Sequence, residues 1–432
     1  MNSNLRTGTF LTVAGVALVL SGVVVNSYVA GFWRNNIVNY RDASDEYTAF
    51  ALILGGMIAI SGWLVSHRPS LLLRRIGMLL FAMALVAIPD RLLLARYGKR
   101  LFVRDKENIF SYRKSTTRTW GPEFGGKLIR INRHGLRDDE FPVTKSDSEF
   151  RILFVGDSVT MGHGVSHEET FCTLIENLGL AGDSRHKSWQ VINAGVQGYS
   201  TWQEFNMINR CRGFDPDVVM IGFCLNDITE PFVTDKTLGG IGVDQRGIMQ
   251  STSPFPGWLL SETGYGRLVQ NQLNSSQKVA LAKREEVFNV ARMIKNGMDA
   301  PEFKPAWNKT LFDLERIYAL CRDQKLRVVL VVFPYSYQVI SKELRWPQEL
   351  LAGHARKCGV ECVDVLGAFD AAIEGKQVRQ ESLPVFFLDE NHFSAQGHEL
   401  VATALCGFLK QPSDNTEPGH GLPIHDDAGK AL

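Results

Sequence analysis

The chain has 432 residues, which is enough for two to three structural units of ordinary size. Its 47 Lys and Arg residues nearly balance 46 Asp and Glu residues, giving a formal net charge of +1. This balance produces no overall attraction to nucleic acid or acidic polymers, so we expect no nucleic-acid partner and infer partners from local features.

The seven cysteines are odd in number, and several stand in apolar runs such as IGFCLND and TALCGFL. This pattern predicts buried free thiols rather than a disulfide framework. Cys358 and Cys362 resemble half of a zinc site, but we find no second Cys or His pair at ligand spacing. No G-x-G-x-x-G fingerprint follows a predicted strand. We therefore expect neither a bound metal nor a cofactor.

Residues 1–97 are predicted to form a membrane region with two to three transmembrane helices. Residues 7–33 and 47–66 carry no charge, and each run reaches the roughly 20 residues needed to cross a bilayer. The third candidate, 76–89, is shorter and would cross only with flanking leucines and snorkelling arginines; its alternative is an amphipathic helix in the interface. A cleavable signal peptide is the alternative for the first run, but that run is too long for one.

Residues 98–150 are predicted to be a connector that docks on the domain after it. Gly and Pro residues in STTRTWGPEFGGK discourage regular structure there. The tail at 412–432 is rich in Pro, Gly and Asp, a composition that buries too little apolar surface to fold. We expect this tail to be disordered.

Between residues 151 and 411 short β-branched runs alternate with helical-length stretches, which predicts an α/β fold with parallel strands joined by crossover helices. The predicted strands are Arg151–Val155, Gln190–Asn193, Asp217–Gly222, Arg327–Phe333 and Glu361–Val365. The predicted helices are Glu168–Leu178, Trp202–Arg212, Trp307–Gln324 and Ala395–Leu409. Ligands of such sheets bind at the carboxyl ends of the strands, so function is sought in the residues that follow each strand.

The first predicted strand runs directly into Gly156-Asp157-Ser158. A serine at a strand-to-helix turn is exposed, and its own N–H can point to the place where an oxyanion would form. Taken alone the motif is weak, because the same residues often cap a helix.

Gly198 and Asn226 follow the second and third predicted strands, in NAGVQGYS and GFCLND. The amide of Asn226 can donate a hydrogen bond to an oxyanion at the same sheet edge, or it can simply close the strand with an Asx-turn. Gly198 lacks a Cβ, so its backbone N–H can approach the same point; its alternative is an ordinary turn glycine.

Asp389 precedes His392 by three residues, just ahead of the last predicted helix. Such a turn lets the carboxylate hold one imidazole nitrogen while the other faces a nucleophile. In the alternative interpretation Asp389 caps the helix and His392 lies on the surface. His398 falls inside the helix and is predicted to pack, whereas Glu390 and Asp227 are predicted to be solvated.

Four blocks, GDSVTMG, NAGVQGYS, GFCLND and DENH, resemble those of the SGNH (GDSL-like) hydrolase family, in the family's order. The resemblance covers residues 151–408, about three fifths of the chain. It implies a three-layer α/β/α, flavodoxin-like fold with a parallel sheet of about five strands. The corresponding domain would span 151–411 with an insertion at 229–305.

The resemblance also implies catalytic roles for five residues. Ser158 would be the nucleophile and the first oxyanion donor, Gly198 the second donor through its N–H, and Asn226 the third through its side chain. His392 would be the base, oriented by Asp389.

Two features depart from the family pattern. Cys224 and the leucine after it stand where many members have a glycine before Asn-Asp, which is expected to tighten the pocket. The insertion at 229–305 is longer than a minimal member needs. Its aromatic residues Phe255, Trp258 and Tyr265 would line a sugar or acyl site, or would form the insertion's own small core.

The resemblance implies a serine esterase that hydrolyses short acyl esters, such as acetyl groups on carbohydrate or lipid, through an acyl-enzyme. Transfer of the acyl group to or from a cell-envelope carbohydrate needs the same residues and stays open. A non-catalytic glycan-binding scaffold is the third possibility, and the joint presence of nucleophile, base and donors argues against it.

The stretch INRHGLRDDEFPVTKSDSEFRI is similar to the lead-in of bacterial membrane-bound members of the family. This similarity implies a multi-pass protein of the bacterial cytoplasmic membrane, with three spans and an extracytoplasmic catalytic domain. The distribution of Lys and Arg favours two spans and a cytoplasmic domain instead. We predict the extracytoplasmic arrangement.

Overall fold

A computed structural model of the chain describes residues 3–24, 55–63, 71–97, 101–119, 126–181, 183, 185–229, 241–243, 249–251, 263–265, 287–374, 383 and 385–410. The chain divides into two units: Met1–Arg100 with Ser253–Leu273, and Leu101–Thr252 with Asn274–Leu432. The predicted disordered tail and most of the predicted insertion lie outside the described residues.

In the first unit the described helices are α1 (Ser3–Val24), α2 (55–63) and α3 (Leu71–Tyr97). Helices α1 and α2 approach closely where both carry small residues, since a Cβ added to Gly15 would lie 2.5 Å from the carbonyl oxygen of Gly55. Within the described residues one helical segment, Arg75–Leu93, is long and apolar enough to cross a membrane, and it contains the third predicted span. The other two, 7–33 and 47–66, extend beyond the described residues and stay predictions.

Tyr265, which belongs to the first unit, packs on α3. Its backbone N–H donates to Asp90 Oδ1 at 3.1 Å, and its hydroxyl donates to the carbonyl oxygen of Val86 at 3.3 Å. These contacts place Tyr265 beside α3, and the two alternatives given for it, a sugar or acyl site and a small core, stay predictions. Phe255 and Trp258 lie outside the described residues.

The strands of the second unit are β1 (Phe102–Asp105), β2 (Ile109–Tyr112), β3 (Thr116–Thr119), β4 (Leu128–Ile131), β5 (Glu149–Gly156), β6 (Ser188–Gly195), β7 (Val218–Phe223), β8 (Ile241–Val243), β9 (Met249–Ser251), β10 (Arg327–Val332) and β11 (Glu361–Asp364). Its helices are α4 (Ser158–Met161), α5 (Phe171–Leu180), α6 (Thr201–Cys211), α7 (Asn226–Thr229), α8 (287–296), α9 (Lys304–Asp323), α10 (Ser336–Ile340), α11 (Trp346–Lys357), α12 (Leu366–Ile373) and α13 (Ala395–Leu409).

The connector at 98–150 contains regular structure, contrary to the prediction. Strand β1 pairs with β2, and β3 pairs with β4, each in antiparallel fashion. Ile109, Tyr112, Ile129 and Ile131 are buried in the core of the second unit, which explains why these short runs are ordered. Most of the Gly and Pro residues that suggested irregular structure lie outside the described residues; Gly126, which is described, has a φ of +62°. Residues of the connector thus contribute to the core of the second unit.

Five parallel strands form the central sheet, in the order β11-β10-β7-β5-β6. Every predicted strand is present with its ends within two residues of the prediction. The central strands are runs of Val, Ile, Leu and Phe that are buried along most of their length, as expected for a sheet covered on both faces. Helix α5 packs on α13, and α6 packs on α9. The predicted α/β fold with a parallel sheet of about five strands and flanking helices is confirmed.

Strand β6 lies at the edge of the sheet, and two carboxylates cover its outer side. The backbone N–H of Val191 donates to Glu176 Oε1 at 2.7 Å, and that of Asn193 donates to Asp138 Oδ2 at 3.1 Å. Burial raises the pKa of Glu176 to about 7 and raises the pKa of Asp138 as well. These side chains satisfy two backbone N–H groups of β6 that would otherwise be free to pair with another strand.

A buried histidine joins the last helix to α5. His398 is 1% exposed, and its Nδ1 accepts a hydrogen bond of 3.2 Å from the backbone N–H of Phe171, the first residue of α5. Because an imidazolium would lose its hydration here, burial lowers the pKa of His398 to about 3. The prediction that His398 packs inside the fold is confirmed.

We expect His398 to make the fold sensitive to acid. An unfolded chain protonates histidine near pH 6.5, whereas the folded chain protonates His398 only near pH 3. Between these values the unfolded state binds more protons, so the free energy of unfolding falls as the pH drops, by up to about 1.4 kcal/mol per pH unit. Urea unfolding at about pH 7 and about pH 5 should show a smaller loss in His398→Gln than in the wild type. Equal losses would contradict a buried, neutral His398.

Candidate active site

Three glycines form a row across the adjacent strands β7, β5 and β6, at or next to their carboxyl ends. Gly156 of β5 is in register with Gly195 of β6 and with Gly222 of β7. A Cβ on Gly156 or Gly222 would lie 2.1 or 2.2 Å from Thr160 Oγ1, and one on Gly195 would lie 2.4 Å from the backbone nitrogen of Met161. No side chain fits in this space. The row therefore lets the short helix α4 lie directly on the sheet.

The turn that leads into α4 is held by a buried carboxylate. Asp157 accepts hydrogen bonds of 2.8 Å from the backbone N–H of Val159 and from Asn226 Nδ2. Burial raises the pKa of Asp157, and these two hydrogen bonds oppose that rise. Ser158 follows as the first residue of α4, at the carboxyl edge of the sheet. Asp157 thus ties the Ser158 turn to the residue that follows β7.

The structure brings Ser158, His392 and Asp389 together. Ser158 Oγ lies 2.8 Å from His392 Nε2. His392 Nδ1 lies 2.8 Å from Asp389 Oδ2 and 3.0 Å from Oδ1. A carboxylate beside Nδ1 favours the tautomer with its proton there, which leaves the Nε2 lone pair directed at the hydroxyl. This arrangement can remove the proton from Ser158 Oγ.

Asp389 is itself fixed by the backbone of its turn. Its Oδ1 accepts the N–H groups of Asn391 at 3.1 Å and of His392 at 3.0 Å. The carboxylate therefore keeps its orientation toward the imidazole through local bonds. The alternative that His392 is a surface residue is excluded, since its side chain is 10% exposed.

His163 stacks on His392 and was not identified from the sequence. The two ring centroids lie 4.3 Å apart with an interplanar angle of 27°, and both residues are buried. The contact covers one face of the His392 ring and restricts its rotation. The signal that could have identified His163 is its position directly after the GDSVTMG block.

Arg137 is a second residue that the sequence did not indicate. It comes from the connector and is fully buried, and its guanidinium donates to the carbonyl oxygens of Met161 at 2.6 Å, of Val165 at 2.6 Å and of Gly162. Burial lowers the pKa of Arg137 to about 10, so the group keeps its charge at neutral pH. Arg137 thereby fixes the loop that follows Ser158.

The turn that carries Gly198 is held by the same connector. Gly198 has a φ of +78°, a conformation that favours glycine. On one side the backbone N–H of Gln197 donates to the hydroxyl of Tyr112 at 3.1 Å. On the other side the hydroxyl of Tyr199 donates to the carbonyl oxygen of Phe110 at 2.6 Å. Strand β2 therefore positions the Gly198 turn.

Asn226 and Asp227 begin α7, directly after β7, and both are buried. The prediction that Asp227 is solvated is wrong, because the turn closed by the 3.0 Å bond from its N–H to the carbonyl oxygen of Cys224 directs it inward. Cys224 is buried as well, and its Sγ lies 3.9 Å from Asn391 Nδ2. It thus packs between the end of β7 and the loop of His392. Glu390 is partly exposed, as predicted.

A model of the GDSL-like lipase/acylhydrolase family matches residues 154–400, more than half of the chain. Among solved structures, an α/β hydrolase enzyme from the metagenome of Lake Arreo, Spain, is 17% identical, with a TM-score of 0.34 and coverage of 61% of this chain and 96% of that chain. A catalytic mutant of an acetylxylan esterase from Geobacillus stearothermophilus is 13% identical, with a TM-score of 0.37 and coverage of 61% and 95%. At these TM-scores neither similarity carries information about the substrate. No curated protein matches the chain.

At the carboxyl edge of the five-stranded parallel sheet, Ser158, His392 and Asp389 are joined by contacts of hydrogen-bond length. The chain belongs to the GDSL-like lipase/acylhydrolase family, the SGNH hydrolases, and is a carboxylic ester hydrolase. The family resemblance inferred from the four sequence blocks is thus confirmed.

Proposed function

We propose that Ser158 attacks the carbonyl carbon of the ester and that His392 is its general base. The 2.8 Å separation between Ser158 Oγ and His392 Nε2 carries this proposal, because a base must lie within hydrogen-bond reach of the proton that it removes. Asp389, 2.8 Å from Nδ1, stabilises the imidazolium that then forms. His392 returns the proton to the leaving alcohol, and a water molecule later releases the acid from the acyl-enzyme.

We assign the oxyanion donors to the backbone N–H groups of Ser158 and Gly198 and to the side-chain amide of Asn226. All three follow the carboxyl ends of adjacent strands, β5, β6 and β7. An amide nitrogen carries two N–H donors, and Asp157 accepts from one of them, so the orientation of Asn226 is set before substrate arrives. Donors that need no reorganisation stabilise the developing charge most effectively.

We propose that the substrate carries a short acyl group, such as acetyl, on a carbohydrate. A cavity of about 200 Å³ lies beside the turns of Gly198 and Asn226; neither Ser158 nor His392 lines it, and its lining residues are Ser200, Thr201, Trp202, Asp227 and Ile228 together with Pro305, Ala306, Lys309, Thr310 and Asp313 of α9. This volume is smaller than the pockets that hold drug-sized ligands, which favours a small group. The indole of Trp202, with the hydroxyl groups of Ser200 and Thr201 and the carboxyl group of Asp227 in the same lining, suits a sugar better than a long acyl chain.

Kinetics of single variants test the catalytic assignment. Ser158→Ala and His392→Ala should abolish hydrolysis of a short-chain aryl ester, whereas His398→Gln, the matched histidine control, should retain most of it. Asn226→Ala should lower kcat by about 10² to 10³ with little change in KM, because an oxyanion donor acts mainly in the transition state.

Equal losses for the two histidine variants would overturn the assignment of the base. A change confined to KM would make Asn226 a binding residue. Because Asn226→Ala also removes a hydrogen bond from buried Asp157, the melting temperature is measured beside the kinetics. Product analysis with a sugar acceptor separates hydrolysis from acyl transfer, which needs the same acyl-enzyme; an acylated sugar as main product would identify a transferase.

We further propose that helices of the first unit lie in a lipid bilayer. Helix α3 is about 40 Å long, more than the roughly 30 Å of a hydrocarbon core. Large apolar side chains of α1 and α3 are exposed: Phe10, Val13, Val16, Leu20, Met78, Leu79, Met83, Val86 and Leu92. Such a surface is unfavourable in water and is suited to lipid.

The contact between α1 and α2 supports the same proposal. A Cβ on Gly62 would lie 2.5 Å from the carbonyl oxygen of Gly8, so the backbones touch at a second point besides Gly15 and Gly55. Between these points the hydroxyl of Thr12 lies 3.5 Å from the carbonyl oxygen of Ala59. Small residues and an interhelical hydroxyl contact are typical of helix pairs in membranes.

Extraction and fusion experiments test the anchoring and its topology. The full chain should stay with the membrane pellet after an alkaline carbonate wash, because helices inside a bilayer resist it. With three spans and a cytoplasmic N-terminus, a C-terminal alkaline phosphatase fusion should be active and a C-terminal green fluorescent protein fusion dark. Recovery in the carbonate supernatant would contradict anchoring, and the reverse fusion pattern would place the hydrolase domain in the cytoplasm.

A further inference from the structure

Glu315, His354 and Cys358 form a cluster of metal-binding side chains that the ester chemistry does not use. One ligand atom from each lies within 4.8 Å of the other two. His354 and Cys358 stand four residues apart at the end of α11, where successive helical turns place side chains on one face. Glu315 comes from α9, so the cluster joins two helices.

Two of the three ligand atoms lie close together, and the ligand atom of Cys358 lies within 4.8 Å of both. His354 Nε2 lies 3.1 Å from Glu315 Oε1. In a tetrahedral zinc site the ligand atoms are about 3.3 to 3.6 Å apart, as follows from metal–ligand bonds of about 2.0 to 2.3 Å. Glu315 has a side chain that is 56% exposed, so an ion can enter from solvent, while His354 at 13% is nearly fixed by its surroundings.

We propose that Glu315, His354 and Cys358 bind a zinc ion, with water completing the coordination. One thiolate, one imidazole and one carboxylate match the ligand types of zinc. Calcium and magnesium take oxygen ligands and do not fit. On binding, the Cys358 thiol loses its proton to solvent as the Zn–S bond forms, and the metal gains three protein ligands without any change of redox state.

The position of the cluster indicates a structural role. Cys358 precedes the first residue of β11 by three residues, so it lies near the amino-terminal edge of the parallel sheet. Ser158 follows the last residue of β5 and lies at the opposite, carboxyl-terminal edge. A metal ion here cross-links α9 to α11 and stabilises the folded state by mass action, without contact with the substrate.

The sequence contained part of this signal. The expectation of no metal rests on the lack of a second Cys or His pair at ligand spacing to Cys358 and Cys362, whereas the relevant partner of Cys358 is His354, four residues earlier in the last turn of α11. Glu315 is 39 residues away from His354 in sequence, and only the packing of α9 on α11 shows that it completes the set.

Cobalt(II) is the spectroscopic probe for this site, because a cobalt–thiolate bond gives a charge-transfer band in the near ultraviolet. The full chain, purified in detergent, should develop this band on titration with cobalt, and zinc should remove it. Cys358→Ser should abolish the band, and Glu315→Gln, which alters an exposed side chain and keeps its shape, should weaken cobalt binding by about tenfold or more. Cys362→Ser is the matched control and should retain the band.

Thermal unfolding gives an independent readout. Saturating zinc should raise the melting temperature of the wild type and of Cys362→Ser by at least about 3 °C, and should not change that of Cys358→Ser. A chelator should reverse the rise and leave aryl-ester hydrolysis unchanged. Absence of the cobalt band in the wild type, its persistence in Cys358→Ser, or its loss in Cys362→Ser would overturn the proposal. Circular dichroism verifies that each variant is folded.

Discussion

The close approach of the Ser158 turn to the sheet is the constraint on which the rest of the site depends. Gly156, Gly195 and Gly222 stand in register, and a side chain on any of them would collide with α4. Because Gly156 and Gly195 end β5 and β6, and Gly222 stands one residue before the end of β7, the same row also fixes where the turns after these three strands begin. The proposed nucleophile and the two other proposed oxyanion donors therefore meet at one point without long or flexible connections.

Three further residues hold these turns in place, and two of them lie outside the family blocks. Arg137 binds three carbonyl oxygens of the loop after Ser158, and Tyr112 of β2 holds the turn of Gly198. Both residues belong to the connector, which thus positions two loops of the active site. Asp157 adds the third link, since one buried carboxylate binds both the Val159 N–H and the Asn226 amide.

The sheet and the contacts among Ser158, His392 and Asp389 could be predicted because each depends on local pattern: β-branched runs define the strands, and polar residues directly after them define the edge. Arg137 could not be predicted, because its partners lie 24 to 28 residues away and are backbone carbonyls, which have no sequence signature. The connector strands are four residues long and too short for an alternating pattern to stand out. Helix α11 was missed although a proline opens it and basic residues end it.

Covalent labelling tests whether Ser158 is an activated nucleophile. A fluorophosphonate probe reacts with serines whose proton is removed by a neighbouring base, and peptide mass spectrometry locates the adduct. We expect one adduct, on the peptide that contains Ser158. The rate of labelling should fall sharply in His392→Ala, whereas His398→Gln should react like the wild type. Labelling at another serine, or an undiminished rate in His392→Ala, would contradict the assignment of Ser158 as nucleophile.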